Sequence, residues 1–295
     1  MLGKDITMRF SESLNNNIFA IQRSKETKFI SKNIKVINLD ILDFVSFGQC
    51  LKSIAPDIVI HCAAIVNVDY CETKKQSALL LHSEIVELIA SNAPLTKFVY
   101  VSTDSVFDGE KGDYNVYDKT NPLNYYAKSK LEGELKTLQL FSNPIVARTN
   151  IYGFNVPQKS SLAEWGLNNL KESRSFGGFS DVYFNPVYTK QFADSLYQLL
   201  INNFSGIINI ASDKVVSKFS FLVELAKEFG YNYSIIRSLS VGTVDFKAPR
   251  PKNTTLNTSL IADINGNIPE FLQGMRMFRE DYINLNPKEG IYAKN

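Results

Sequence analysis

Short apolar runs rich in β-branched residues alternate along the chain with stretches in which apolar residues recur at helical spacing. The apolar runs are "NIFAIQ", "IKVINL", "PDIVIHCAA", "TKFVYVST", "NPIVART" and "GIINIA". The helical stretches cover 42–54, 72–92, 125–141, 191–201 and 219–229. Strands that alternate with helices pair in parallel through right-handed crossovers, and the helices cover both faces of the sheet. The pattern therefore predicts an α/β fold with a doubly wound parallel sheet.

The chain opens on "MLGKDITMRFSESL", which predicts an amphipathic helix with no strand in front of it. Five apolar residues of this helix are available to a core: Leu2, Ile6, Met8, Phe10 and Leu14. After Arg148 the alternation of strands and helices loosens, and turn sequences such as "FGGFS" become more frequent. This change predicts a second, smaller lobe in the C-terminal half.

Composition excludes several classes of protein. The 295 residues carry a formal net charge of +2, which argues against a surface that coats nucleic acid. No apolar run approaches the roughly 18 residues that span a bilayer, and no basic-then-apolar signal region opens the chain. The three cysteines, Cys50, Cys62 and Cys71, lack the spacing of metal ligands and are odd in number. This favours a reducing cytoplasm. With only two histidines, we expect no metal site. From the charge and the short apolar runs, we expect no nucleic-acid or membrane partner.

Polar and small residues follow the predicted strands. In an open parallel sheet, ligands bind beyond the carboxyl ends of the strands. Here these ends read Arg23-Ser24, Asp40, Cys62-Ala63-Ala64 and Ser102-Thr103-Asp104. Small residues after the third strand allow a flat ligand to approach the backbone, and hydroxyls after the fourth can hold a polar group. The sequence thus predicts a nucleotide cleft at this edge.

A Tyr-x-x-x-Lys pair in "NPLNYYAKSKLEGE" is the candidate for catalysis. Tyr126 and Lys130 share one face of a helix that Asn121 is expected to cap, with Pro122 in its first position. A nearby ammonium lowers the pKa of a phenol, which makes the phenol a better acid–base group near neutral pH.

The same spacing also occurs at Tyr70 and Lys74, so the motif alone is weak. The strand before Tyr70 has no hydroxyl at its end, whereas the strand before Tyr126 ends in Ser102 and Thr103. We therefore interpret Tyr70 as a solvated or packing residue.

Several stretches together resemble the extended short-chain dehydrogenase/reductases, and most closely the dTDP-4-dehydrorhamnose reductase group of nucleotide-sugar 4-ketoreductases. They are "PDIVIHCAAIVNVDYCE", "FVYVSTDSVFDGEKGDYN", "NPLNYYAKSKLEGE", "IVARTNIYG", "GIINIASDKVVSKFSF" and "RPKNTTLNTSLI". They follow the family's order and spacing over about residues 1–261. Several ordered motifs are far more specific than one four-residue spacing.

The resemblance implies a fold, a division into lobes and a homodimer. It implies a Rossmann-like, NADP-binding domain over 1–150, to which 186–212 returns. The substrate-binding lobe would consist of 151–185 and 213–295.

The resemblance also assigns catalytic roles. Tyr126 matches the acid that protonates a substrate carbonyl oxygen as hydride arrives from the nicotinamide. Lys130 matches the residue that lowers the tyrosine pKa and holds the nicotinamide ribose. Thr103 matches the hydroxyl that hydrogen-bonds the same oxygen, and its neighbour Ser102 is a weaker candidate for substrate contact.

Cofactor contacts follow in the same way. Asp40 and Ile41 match the contact to adenine, Cys62, Ala63 and Ala64 match a backbone contact to the cofactor, and Gly3 matches the third glycine of a Gly-rich turn. A ribose-binding acid after the second strand of such folds selects NAD, whereas an arginine accommodates the 2′-phosphate of NADP. Here "IFAIQRSK" offers Arg23 and Ser24 without an acid, so NADP(H) is favoured over NAD(H).

Substrate contacts are implied at Asn150 and Tyr152, which follow the strand "PIVART". Arg250 and Lys252 of "APRPKNTTLNTS" stand where relatives approach the nucleotide diphosphate. A solvated basic loop is an equally good interpretation of these two residues.

Two departures from the family pattern stand out. "MLGKDITMRF" matches the family only from the last glycine of its turn, so we expect the sheet to lack its first strand. Met1 would then be an internal methionine of a longer natural chain, or the product would be short and inactive. His82 stands where the family commonly has asparagine, and we expect it to be packed or solvated, without a role in proton transfer.

Three functions remain open. The first is NADPH-dependent reduction of the 4-keto group of a nucleotide-linked deoxy sugar. The second is an epimerase or dehydratase of the same superfamily that retains NAD. The third is a non-catalytic regulatory subunit on the same fold.

Overall fold

The computed structural model describes residues 1–23, 29, 31–155 and 161–286, so Ser24 lies outside the described residues. The helices are α1 (Leu2–Ser11), α2 (Phe44–Ile54), α3 (Val68–Thr73), α4 (Lys75–Leu79), α5 (Ile85–Asn92), α6 (Tyr125–Leu140), α7 (Leu162–Lys171), α8 (Thr189–Ile201), α9 (Lys218–Glu228), α10 (Ser259–Asn265) and α11 (Phe271–Leu285). A π-helical turn, Leu80–Glu84, joins α4 to α5. The strands are β1 (Ile18–Gln22), β2 (Ile34–Asn38), β3 (Ile58–His61), β4 (Lys97–Val101), β5 (Ile145–Thr149), β6 (Ile151–Tyr152), β7 (Phe176–Phe179), β8 (Tyr183–Phe184), β9 (Val187–Tyr188), β10 (Gly206–Ile210), β11 (Val216–Ser217) and β12 (Ile236–Leu239).

Every apolar run predicted as a strand contains one, and these strands are β1 to β5 and β10. The helical periodicities also give helices, although 72–92 divides into the end of α3, α4, the π-helical turn and α5. The prediction for the opening helix is partly wrong because α1 ends at Ser11. Leu2 and Ile6 are buried, but Met8 and Leu14 are exposed. Within the described ranges, no helix has the length and apolar character needed to cross a bilayer.

The six strands predicted from the apolar runs form two separate parallel, hydrogen-bonded groups. One group has the order β10–β5–β4–β3, and the other is the pair β1–β2. The open doubly wound sheet has the strand order 3-2-1-4-5-6. The pair β2–β1 corresponds to positions 3-2 of that order, and β3–β4–β5 corresponds to positions 4-5-6. No strand of the described residues fills position 1, which lies between them. The fold is therefore α/β and Rossmann-like, with an interruption in its sheet.

A cavity of about 920 Å³ occupies this interruption, which we call the sheet slot. Its walls include β1, β3, the inner face of α1 and apolar residues of α2. Ile18 donates its amide to Asn33 and Lys97 donates to the carbonyl of Asp57, so the outer edges of β1 and β3 are paired. Backbone groups alternate in direction along a strand, and those of Phe19, Ile21, Ile58 and Ile60 consequently face the slot.

Hydrogen exchange should report this interruption. We expect the amides of Phe19 and Ile60 to exchange much faster than the amide of Val99 in β4, because Val99 lies between two paired strands. Exchange measured by NMR on the whole chain provides the test. Equal protection of all three amides would mean that the edges of the slot are paired in solution.

The core is divided between the sheet and the C-terminal half. One cluster packs β4, β5 and β10 against α1 and α8, and it includes Val99, Ala147 and Phe192. A second cluster packs α7, α9 and α11 together and includes Phe221 and Phe278. The carboxyl edge of the sheet faces segments from both, and the candidate site lies there.

Candidate active site

Thr103 and Tyr126 meet at the carboxyl edge of the sheet. Thr103 follows β4 and is buried, and Tyr126 lies in the first turn of α6. The Thr103 hydroxyl lies near enough to the Tyr126 phenol to act on the pKa of that phenol. The cap prediction was wrong: α6 begins at Tyr125, and the Asn124 side chain accepts a hydrogen bond from the amide of Ala127 at 3.0 Å.

The predicted cap, Asn121, bonds elsewhere. Its side chain donates to Asp108 at 3.2 Å, whereas Asn124 also donates to the carbonyl of Pro249 at 3.0 Å. Asn124 therefore fixes the start of α6 to the C-terminal half of the chain. This long-range contact selects one of two asparagines that look equivalent in the local sequence.

Lys130 lies one turn after Tyr126 and is buried. Its ammonium donates to the carbonyl of Val101 at 2.6 Å and lies 4.0 Å from the centre of the Tyr100 ring. Burial lowers the pKa of Lys130 to about 7, although the negative charge of Glu134 acts in the opposite direction.

In this arrangement Lys130 is not among the groups that lower the pKa of Tyr126. Burial raises the Tyr126 pKa well above its usual value, and the hydrogen bond from Thr103 only partly offsets that effect. The Lys130 ammonium is directed at the Val101 carbonyl. Tyr126 therefore retains its proton at neutral pH, and a phenol in that state can act as an acid.

Asp104 connects the site to distant segments, and the sequence analysis gave it no role. One of its carboxylate oxygens accepts from Thr103 at 3.1 Å. The other accepts from Asn150 at 2.7 Å and from Thr254 at 2.6 Å. A buried carboxylate needs such donors. A signal was available, since Asp104 stands beside Thr103 at the strand end and Thr254 belongs to a hydroxyl-rich loop.

The π-helical turn lies against the other side of α6. A π turn changes the backbone pairing of a helix and often occurs at functional sites. The carbonyl of Leu81 accepts from the His61 ring at 3.0 Å, and the carbonyl of His82 accepts from the Tyr100 hydroxyl at 2.6 Å. A Cβ at Gly133 would lie 2.1 Å from the His82 carbonyl oxygen, so only glycine lets α6 approach this turn.

Several residues expected to contact the cofactor lie along the walls of the sheet slot. Gly3, Ile41, Cys62 and Ala63 all line it. A Cβ at Gly3 would lie 3.0 Å from the Cys62 sulfur, so α1 begins close to the loop after β3.

The remaining cofactor candidates are near the same edge. The side chain of Asp40 accepts from the amide of Leu42 at 3.0 Å, Arg23 is exposed, and Ala64 is half-buried in the loop after β3.

The predicted substrate residues divide into two groups. Asn150 and Ser102 lie at the site: Asn150 bonds Asp104, and the buried hydroxyl of Ser102 has no hydrogen-bond partner among the described residues. Tyr152 lies elsewhere, because its ring packs on Tyr188, Phe221 and Phe278 in the second core cluster.

The two basic candidates lie in different environments. Arg250 donates to Asp69 at 2.8 Å, so its charge is already paired. Lys252 is exposed, and its carbonyl accepts from the amide of Tyr183 at 2.7 Å. The second Tyr-x-x-x-Lys pair is on the surface, with Tyr70 44% exposed.

A doubly wound parallel sheet with a threonine, a tyrosine and a lysine at its carboxyl edge defines the extended short-chain dehydrogenase/reductase class. The chain belongs to the RmlD substrate binding domain family, whose model matches residues 1–283.

Individual relatives support the same class. The chain is 27% identical over 227 residues to "Probable low-salt glycan biosynthesis reductase Agl14" of Haloferax volcanii, covering 75% of this chain and 76% of that protein. It is 28% identical over 248 residues to methionine adenosyltransferase 2 subunit beta of Xenopus tropicalis, covering 81% and 74%. The structure of a hypothetical dTDP-4-dehydrorhamnose reductase from Sulfolobus tokodaii aligns with a TM-score of 0.77 at 27% identity, covering 92% and 95%.

Proposed function

We propose that the chain is an NADPH-dependent reductase that acts on the 4-keto group of a nucleotide-linked deoxy sugar. The contact between the Thr103 hydroxyl and the Tyr126 phenol, with Lys130 one turn away, carries this proposal. Membership of the RmlD family and the likeness to proteins named as reductases support it.

Each residue of the trio has a task in such a reduction. Tyr126, which keeps its proton at neutral pH, donates it to the carbonyl oxygen, where negative charge develops. The Thr103 hydroxyl, which donates to Asp104 in the absence of substrate, would turn to donate to the same oxygen. Lys130, one helical turn after Tyr126, would hold the ribose of the bound cofactor. When bound, NADPH supplies the hydride that reduces the carbonyl carbon.

The residues present fit a dinucleotide. The first turn of α1 has no side-chain cap, so its amides are available to phosphate oxygens, and Gly3 allows the close approach to Cys62. Arg23 would bind the 2′-phosphate of NADPH, because no acidic residue stands beside it to bind a free ribose hydroxyl.

We further propose that the cofactor-binding part consists of 1–150 and 186–212, with 151–185 and 213–295 as the substrate lobe. The division of the core supports this proposal, apart from Ile261, which packs with the sheet, and Tyr188, which packs in the second cluster. Phe192 and Ile208 pack with the sheet, whereas Phe176 and Phe221 pack in the second cluster. Asp104, which bonds both Asn150 and Thr254, would then join the two parts beside the reacting carbonyl.

Purified chain mixed with NADPH and dTDP-4-dehydrorhamnose tests the proposed function. We expect NADPH to be oxidised in equal amount to the sugar reduced, and NADH to be used less well. Turnover of the sugar without net oxidation of NADPH would indicate an epimerase or dehydratase instead.

The likeness to methionine adenosyltransferase 2 subunit beta favours a second candidate, a non-catalytic partner subunit. Failure to oxidise NADPH, together with binding of the chain to a methionine adenosyltransferase in gel filtration, would support that function over the reductase. Presence of all three of Thr103, Tyr126 and Lys130 favours the reductase.

A further inference from the structure

His82 is completely buried and bonds two separate elements. Its Nε2 accepts the amide hydrogen of Ile65 at 2.9 Å, in the loop after β3. Its Nδ1 lies 2.8 Å from the hydroxyl of Ser129 on α6. Because Nε2 accepts, the ring proton is on Nδ1 and is donated to Ser129.

Ser129 extends this contact to the catalytic turn. Its hydroxyl donates to the carbonyl of Tyr126 at 2.9 Å. The His82 and Tyr126 rings also pack edge to face, with 5.7 Å between their centroids. His82 therefore joins the loop that contains Ala63 and Ala64 to the turn that contains Tyr126. One rigid ring sets the distance between them.

The imidazole is neutral throughout the working pH range. Burial lowers the pKa of His82 to about 2, and the positive charges of Lys130 and His61 act in the same direction. The other ionisable groups facing this region are Tyr100 and Tyr126, and burial raises the pKa of each. His82 thus keeps one acceptor and one donor, each already directed at a partner.

We propose that His82 is a positioning residue that fixes the loop after β3 relative to the Tyr126 turn of α6. The inference rests on the proposed reductase function. It differs from a role in proton transfer, because both ring nitrogens are occupied by Ile65 and Ser129 and neither bonds the Tyr126 hydroxyl. The ring acts through geometry, and a displacement of about 1 Å at a reacting group costs on the order of 100-fold in rate.

Two conservative variants separate the two contacts. The amide of glutamine reaches the position of Nε2, so His82→Gln keeps the acceptor for Ile65 and loses Ser129. The amide of asparagine reaches the position of Nδ1, so His82→Asn keeps the donor to Ser129 and loses Ile65.

We expect His82→Gln to lower kcat about tenfold with little change in the KM for NADPH, since the loop is held and the Tyr126 turn is not. His82→Asn should mainly raise that KM. His82→Leu, which loses both contacts, should lower kcat/KM about 100-fold.

Ser83→Ala is the matched control. Ser83 lies on the same π-helical turn and bonds Glu132 on α6 at 3.0 Å, away from the Tyr126 turn. We expect its kinetics to be unchanged. If the His82 variants do not fold, Ser129→Ala removes the same link to Tyr126 and should lower kcat as His82→Gln does.

A spectroscopic readout is independent of turnover. The ¹⁵N spectrum of the whole chain should show His82 as the neutral Nδ1–H form between about pH 5 and pH 8. His82→Leu should shift the amide signals of Ile65 and Tyr126 together. If NADPH is not oxidised by the unmodified chain, the reductase proposal fails, and these signals still test the coupling.

Two results would overturn the positioning role. One is an ionised His82, or a proton on Nε2, in that pH range. The other is a set of His82 variants with lower thermal stability but unchanged kcat and KM per folded molecule, which would make the residue structural only.

Discussion

Replacement of Tyr126 by phenylalanine should lower kcat by about 10²–10⁴-fold, the usual contribution of a general acid. The substitution removes only the phenol oxygen, which touches Thr103 and would protonate the carbonyl. The ring and its edge contact with His82 remain. Binding of NADPH, measured by fluorescence titration, should therefore change little while steady-state turnover is almost lost.

Tyr70→Phe is the matched control, because it removes a phenol oxygen from the other Tyr-x-x-x-Lys pair. Tyr70 is on the surface, and its amide bonds the Asn67 side chain. It has no role in the proposed reaction. We expect wild-type kinetics for this variant. A Tyr126→Phe enzyme that turns over at the normal rate would refute the assignment of the acid.

Replacement of Glu134 by alanine should cost about 3–5 kcal/mol in the free energy of unfolding, because it leaves a buried arginine without its partner. Glu134 and Arg148 are 1% and 3% exposed, and the Arg148 Nη2 lies 2.7 Å from a Glu134 oxygen. The Arg148 Nε donates to both oxygens of the same carboxylate, at 3.1 and 3.2 Å. Urea unfolding of both proteins gives the difference.

The control for this prediction is a surface ion pair that reaches the same helix. Lys136 and Glu87 lie 2.8 Å apart, but the Glu87 side chain is 57% exposed. Glu87→Gln should change the free energy of unfolding by about 1 kcal/mol or less. Replacing Glu134 and Arg148 together by methionine should cost less than Glu134→Ala, because no charge is then left unpaired. Equal losses for Glu134→Ala and Glu87→Gln would contradict this account.

The parts of the site that the sequence predicted are those set by local order along the chain. Thr103 directly follows the apolar run of β4, and Tyr126 and Lys130 share a helix face by their spacing alone. Parallel pairing then brings the end of β4 to the edge where α6 begins. These steps need only periodicity and the geometry of parallel sheets.

The errors arise where partners distant in sequence decide the outcome. Asp69 pairs with Arg250, which lies 181 positions further along the chain, so the arginine expected to approach a phosphate is paired. The Asp104 carboxylate accepts a hydrogen bond from Thr254. Asn124, and not Asn121, caps α6, and it also donates to the Pro249 carbonyl. No spacing rule encodes such contacts, because they depend on how loops from the second half fold back.

The buried position of His82 is one of the two outcomes, packed or solvated, that the sequence left open. A histidine on a helix surface and a histidine held at both nitrogens look the same in sequence. The difference comes from the π-helical turn, which lies against a glycine of α6. The sequence at 80–84, within a long apolar stretch, gives no sign of this turn.

The sheet slot has a consequence for how copies of the chain behave together in concentrated solution. Strand edges that lack a neighbour act as templates for strands from other molecules, and natural proteins normally cover or charge them. In the described residues the slot-facing positions of β1 and β3 are Phe19, Ile21, Ile58 and Ile60, all of them uncharged and apolar. We therefore expect these edges to pair with a strand from a second copy, and light scattering should rise with concentration well before the fold itself is lost on heating.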